Sequence, residues 1–102
     1  MLDLMGVPQP LRRARELLAL GGDYFCAHCA HDVAGDPVAP LRVLRGALPD
    51  MRLAVAGGIR EATIDALAPL RPDTIIVGAA ITRAMQPRRA ARRLRERIVA
   101  HA

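Results

Sequence analysis

Two short glycine-bearing turns, Val55-Ala56-Gly57-Gly58-Ile59 and Ile76-Val77-Gly78-Ala79-Ala80-Ile81-Thr82, constrain this chain more than any other feature, because each closes an apolar strand and opens a helix. Residues without bulky side chains let a bound group come within reach of backbone N–H donors, and a helix start just beyond adds a dipole that favours an anion. The turns lie about twenty residues apart, on consecutive strand–helix units. Together they read as a cradle for a phosphate dianion.

The rest of the chain repeats the same unit. Met1 to Val7 is short and apolar, and Pro8 and Pro10 open a helix to about Leu20, with Leu11, Ala14, Leu17 and Leu18 at helical spacing before Gly21-Gly22 ends it. Asp23 to His28 reads as the second strand, Cys29 to Asp36 as a polar loop, and Pro37 to Leu48 as a helix with a stripe of Leu41, Leu44, Ala47 and Leu48. Met51 to Ala56 is near-continuously apolar, the pattern of a parallel strand covered on both faces. A helix from about Glu61 to Leu70, a β-branched strand from Thr74 to Val77 and a last helix from Pro87 to Ala100 complete the series. The expected fold is α/β: four βα units around a parallel sheet, in one domain spanning residues 1–102.

Composition excludes some chemistry. All fifteen basic residues are arginine, so the chain can form no Schiff base and offers no lysine ammonium as a proton donor. Arginine suits bidentate contact with phosphate or carboxylate, although a surface arginine is commonly just solvated. Cys26 and Cys29 are too close to frame a disulfide-rich secreted domain, and no basic segment leads into a long apolar stretch with a cleavage site. A cytoplasmic location is therefore expected. No apolar run approaches the ~20 residues of a membrane span.

Four motifs in order carry a family resemblance: Asp3-Leu4-Met5-Gly6-Val7, then His28 with Asp32, then Val55-Ala56-Gly57-Gly58-Ile59, then Val77-Gly78-Ala79-Ala80-Ile81-Thr82. The chain resembles the last four βα units of the 3-hexulose-6-phosphate synthases. These belong to the orotidine 5'-phosphate decarboxylase superfamily, with 3-keto-L-gulonate-6-phosphate decarboxylase as a close relative. The resemblance implies the C-terminal half of a TIM barrel, a fold that typically needs about 250 residues when complete. It further implies that Gly57, Gly58, Gly78 and Ala79 hold a sugar phosphate through backbone amides, that His28 and Asp3 are the catalytic candidates, and that Asp32 lines the substrate pocket. Cys29 and Ala30 stand where the family has Thr and Gly, and Ala79 replaces the second glycine of a Gly-Gly-Ala-Ile-Thr motif. The decarboxylases often carry Arg at the Ala79 position, so alanine leans toward the synthase branch.

The family's Asp-x-Lys-x-x-Asp cluster sits on the third strand and its Mg2+-binding carboxylates come from the second and third, and the resemblance gives them no counterpart here. Two readings follow. The chain is either the sugar-phosphate-binding half of an aldehyde-lyase joining formaldehyde to ribulose 5-phosphate, or a non-catalytic phosphate-binding remnant, including a fragment of the related decarboxylase. In both it is expected to be inactive alone, and to associate with a second copy or with a complementary N-terminal half-barrel that would cover its sheet and edges.

Each candidate also has a plainer reading. A histidine at a strand end can be a proton shuttle or simply a solvated polar group. Asp3 is either a pocket carboxylate or a solubilising cap, and a charge in an apolar strand favours the pocket. Cys26, His28, Cys29 and His31 invite a zinc site, but their spacing lacks the paired knuckles of structural zinc, and no metal site is assigned from it. The arginines of the last helix, Arg88, Arg89, Arg92, Arg93, Arg95 and Arg97, suit an outer solvated face. No aromatic platform accompanies them, so nucleic acid is not the expected partner.

Overall fold

The computed structural model describes residues 1–29 and 36–101. Its elements run β1 (Leu2–Asp3), α1 (Pro10–Ala19), β2 (Tyr24–His28), α2 (Val38–Ala47), β3 (Arg52–Ala56), α3 (Glu61–Leu67), β4 (Thr74–Ile76), α4 (Ala79–Thr82) and α5 (Pro87–Ala100), with a 3-10 turn at Ala68–Leu70 after α3. The four strands form one parallel sheet in the order β1-β2-β3-β4. The α/β reading and the repeated βα unit are borne out.

Local chemistry accounts for the element ends. α1 starts with Pro10 in its first turn and finishes in a Schellman motif, in which Gly21 at φ 100° donates to the Leu18 carbonyl (3.0 Å) and Gly22 to the Leu17 carbonyl (2.8 Å). β1 is only two residues long where the sequence suggested Met1 to Val7. The Asp3 carboxylate accepts the Met5 N–H at 3.0 Å, and Gly6 at φ 75° turns the chain so that Val7 donates back to Leu4. α3 stops at Leu67 rather than Leu70, because Pro69 has no N–H for the helical ladder and the chain tightens to a 3-10 turn ending at Arg71 in the left-handed region, φ 52°.

The two faces of the sheet differ sharply. Phe25, Ala27, Leu53 and Val55 point to the helix-covered side, where they join Leu4, Ala14, Val38, Leu41, Leu44, Ile59, Ile64, Leu67 and Leu94 in one buried core. Strand alternation sends Asp3, Tyr24, Cys26, His28, Arg52, Ala54, Ala56, Thr74 and Ile76 to the other side. That face is small and polar rather than a wall of Val, Leu and Ile. Cys26, Ala54 and Ala56 are buried there with Tyr24 against them, the Arg52 guanidinium sits 4.4 Å from the Tyr24 ring centre, and the Tyr24 hydroxyl is 2.7 Å from Thr74 Oγ1.

Below the sheet, at the strand starts, Arg45 of α2 is a single fastening. Its Nε donates to the Leu70 carbonyl (2.8 Å), Nη1 to Pro49 (3.1 Å) and Met51 (2.6 Å), and Nη2 to Arg71 (2.7 Å). Asp73 lies 3.6 Å from the same guanidinium and accepts the Leu53 N–H at 2.8 Å. The segments entering β3 and β4 are thus held by one side chain. On the outer layer α5 docks on α3 through Leu94 and through Asp65, which takes a two-pronged contact from Arg97 (3.0 and 2.6 Å) and a 2.6 Å contact from His101. No helix among the described residues is long and apolar enough to cross a membrane.

Candidate functional site

Parallel strands bring their C-terminal ends to one rim, and that is where the sequence candidates gather. Asp3 ends β1, His28 ends β2, Gly57-Gly58 follows β3 and Gly78 follows β4. The register fixes the order across the rim, with Asp3 opposite Cys26, His28 opposite Ala56 and Ala56 opposite Ile76. Asp32 and His31 lie outside the described residues.

Asp3 and His28 meet directly. His28 Nδ1 is 3.1 Å from Asp3 Oδ1 and 3.0 Å from Oδ2, with the carboxylate half exposed and the imidazole a quarter exposed. In the neutral ring this contact favours the tautomer carrying its proton on Nδ1, which leaves Nε2 as the acceptor. The pair is therefore an oriented acid–base group at the rim, in the manner of a carboxylate-held imidazole.

The two glycines of the first turn do different things. Gly57 has φ 90°, and a Cβ there would fall onto the Cys29 carbonyl oxygen, with the Cys29 carbonyl carbon only 2.8 Å away. Its lack of a side chain is what lets Cys29 run alongside and donate to the Ala56 carbonyl at 3.1 Å. Gly58, at φ 68°, has nothing within 4 Å of a built Cβ. Gly58 faces open space, and so does Gly78. The Gly78 carbonyl accepts from Ile81 (2.9 Å) and Thr82 (3.0 Å), closing the single turn of α4. Among the described residues the N–H groups of Gly58, Gly78 and Ala79 donate to no backbone carbonyl.

The dipole part of the expectation changes. α3 begins at Glu61, two residues past Ile59, with that glutamate in its first turn, and α4 has only four residues. Little macrodipole is available from either. Individual N–H groups, not helix ends, are the donors the turns provide.

The sequence groups Cys26 with His28 only in a zinc reading that is not assigned, and misses that Asp3 joins them. Alternation along β2 places Cys26 and His28 on one face, but only the pairing of β1 with β2 brings Asp3 to them. Burial, and after it the Asp3 carboxylate, push the Cys26 thiol up to about 11. Mg2+ prefers oxygen donors in a near-octahedral shell. One carboxylate, one thiol and one imidazole do not fit it, so the described residues offer no Mg2+ step. The α5 arginines Arg88, Arg89, Arg92, Arg93 and Arg95 are exposed, as a solvated outer face requires.

No family model matches the chain. Individual relatives do. It is 35% identical over 99% of its length to 3-hexulose-6-phosphate synthase 2 of Staphylococcus saprophyticus, covering 49% of that protein, and 34% identical over 96% of its length to the 3-hexulose-6-phosphate synthase of Staphylococcus haemolyticus, covering 48%. The solved 3-hexulose-6-phosphate synthase of Salmonella typhimurium superposes with TM-score 0.90 at 33% identity, over 98% of this chain and 49% of that one. The solved KGPDC from Streptococcus mutans shares the fold, with TM-score 0.80 at 23% identity over 96% of this chain and 47% of that one. The chain spans about half the length of the curated relatives it matches, and the match fits the C-terminal half of their barrel. By sequence and by fold, this chain matches the C-terminal half of the 3-hexulose-6-phosphate synthases.

Proposed function

We propose that the chain is the sugar-phosphate-binding half of a 3-hexulose-6-phosphate synthase-like aldehyde-lyase, acting on ribulose 5-phosphate. The observation that carries this reading is the rim itself: family motifs in family order, with open space where a Cβ would stand at Gly58 and Gly78 and N–H groups there that pair with no backbone carbonyl among the described residues, beside an oriented Asp3–His28 pair. In this scheme the N–H groups of Gly58, Gly78 and Ala79 donate to phosphate oxygens. Asp3 holds Nδ1 of His28, and His28 Nε2 accepts or returns a proton at the sugar. The chain also has no lysine to serve as a proton donor.

The Asp-x-Lys-x-x-Asp chemistry and the Mg2+ ligands would come from a complementary N-terminal half-barrel, pairing with the open edges of β1 and β4; a second copy of this chain could cover the same edges. The absence of lysine favours a second reading, a binding module that keeps the cradle without turnover.

Calorimetry with ribulose 5-phosphate tests the cradle. Gly78→Val puts a branched side chain into the open space above the turn without striking protein. It is expected to weaken binding about ten-fold or more, the equivalent of losing one charge-assisted hydrogen bond of about 1.5–3 kcal/mol. Equal affinity for wild type and variant would exclude a phosphate at this turn.

A further inference from the structure

The rim carries a second kind of chemistry that the sugar-phosphate reading does not use. Asp3, Cys26 and His28 offer a carboxylate oxygen, a sulfur and an imidazole nitrogen that all lie within 4.8 Å of one another. Strand geometry enforces the grouping, since Cys26 and His28 are two apart on β2 and Asp3 is the register partner of Cys26. Cys26 is 1% exposed, and its sulfur has a 3.9 Å contact with the Ala27 carbonyl, a long approach for a weak donor. The other two ligands keep one side open, with the Asp3 and His28 side chains 49% and 25% exposed.

We infer that Asp3, Cys26 and His28 form a three-ligand site for a borderline-soft divalent cation of the Zn2+ type, with a fourth position open to water. Mixed sulfur, nitrogen and oxygen donors suit such an ion, and three protein ligands with one open position is the pattern of a reactive rather than a structural zinc site. Two donors with arms of about 2.0–2.1 Å at a tetrahedral angle stand about 3.4 Å apart. His28 Nδ1 and Asp3 Oδ2 now stand 3.0 Å apart, so seating an ion between them asks for an opening of a few tenths of an ångström.

The protonation changes are defined. A thiol is protonated at neutral pH even at its ordinary value, burial and then the Asp3 carboxylate reinforce this at Cys26, and direct coordination to a dication opposes it. On binding, the Cys26 S–H proton leaves to solvent and the sulfur lone pair forms the metal bond. The neutral imidazole moves its hydrogen from Nδ1 to Nε2 and ligates through Nδ1. An ion seated there removes Nε2 as a proton acceptor, so metal occupancy and the acid–base role of His28 exclude each other.

Titration of the full chain with Co2+, a spectroscopic stand-in for zinc, tests the site without any sugar phosphate. The expected result is a thiolate-to-metal charge-transfer band that saturates at one ion per chain and is bleached by Zn2+, with release of the thiol proton on zinc addition. Cys26→Ser should abolish the band, Cys29→Ser should leave it, and Asp3→Asn should weaken Zn2+ binding about ten-fold or more. No band, a band that survives Cys26→Ser, or unchanged affinity in Asp3→Asn would overturn the site. Should Cys26→Ser fail to fold by circular dichroism, proton release by the wild type and the exposed Asp3→Asn variant decide it. The outcome is independent of the cradle, which is tested at Gly78.

Discussion

Arg45→Ala should be among the most damaging single substitutions in this chain. Arg45 is 9% exposed, and its guanidinium donates to four carbonyls, those of Pro49, Met51, Leu70 and Arg71, at 2.6 to 3.1 Å. Hydrogen bonds to a charged group are worth about 1.5–3 kcal/mol each, but four on one side chain do not add, and water can reach some of the freed carbonyls. Breaking a buried charged network by removing its central member typically costs about 3–5 kcal/mol, a large share of the roughly 5–15 kcal/mol that holds a domain folded. With a urea m-value of about 2 kcal/mol per molar, the midpoint should fall by about 2 M. Far-UV circular dichroism is the assay, since the chain has no tryptophan and one tyrosine. Arg45→Lys should lose a substantial part of the same stability, because an ammonium has three donors on one atom and cannot span carbonyls that the planar fork reaches in different directions. A loss below about 1 kcal/mol in Arg45→Ala would show that solvent replaces these bonds and that the entries to β3 and β4 are held by other means.

Two further perturbations separate causes that the sequence alone would merge. Gly57→Ala should destabilise by about 2 kcal/mol or more, since it adds a collision with the Cys29 backbone to the strain of a positive φ, whereas Gly58→Ala meets only the strain, about 1–2 kcal/mol; equal losses in urea titrations would contradict the assignment of Gly57 to packing and Gly58 to open space. Asp65 is held down at about 2, chiefly by hydrogen bonds from Arg97 and then His101, below its ordinary value of 3.8. A depressed carboxyl contributes stability that is present above 3.8 and is lost as pH falls toward about 2, so thermal melts should show an acid slope across that window that flattens in Asp65→Asn. An unchanged slope would mean that the docking of α5 on α3 does not depend on this carboxylate.

The elements were legible where local chemistry decides them. Gly21 and Gly22 end α1, Pro87 starts α5, and the β-branched Thr74 to Ile76 makes a strand, each for reasons contained in a few neighbouring residues. Arg45 was illegible for the opposite reason. Nothing within α2 distinguishes it from a surface arginine, because its partners are backbone carbonyls up to twenty-six residues away that converge only when β3 and β4 lie side by side. The rim was half legible: its motifs name Asp3, His28 and the glycines, but contact between Asp3 and His28, and the inclusion of Cys26, depend on the pairing of β1 with β2. Gly57 shows the same limit, as a glycine kept for packing and one kept for a ligand look alike until the neighbouring strand is in place.

The inner face of the sheet offers little apolar surface for association. Near-continuous apolarity in Met51 to Ala56 suggested a strand covered on both faces, and alternation puts the large Leu53 and Val55 under the helices and the small Ala54 and Ala56 on the inner face. Ile76 is the large aliphatic residue that the described strands leave on that face, at 39% exposure. Burying one such side chain is worth about 1.5–3 kcal/mol, too little to drive assembly against the cost of bringing two molecules together. A partner half would instead gain from the backbone edges of β1 and β4, which are two and three residues long, and from polar contacts with Tyr24, Arg52 and Thr74. Short edges and a polar wall would make such an association selective for a complementary surface. On the other side the sheet is covered by the helices of this chain, and its own strands bring Asp3, His28, Gly58 and Gly78 to one rim.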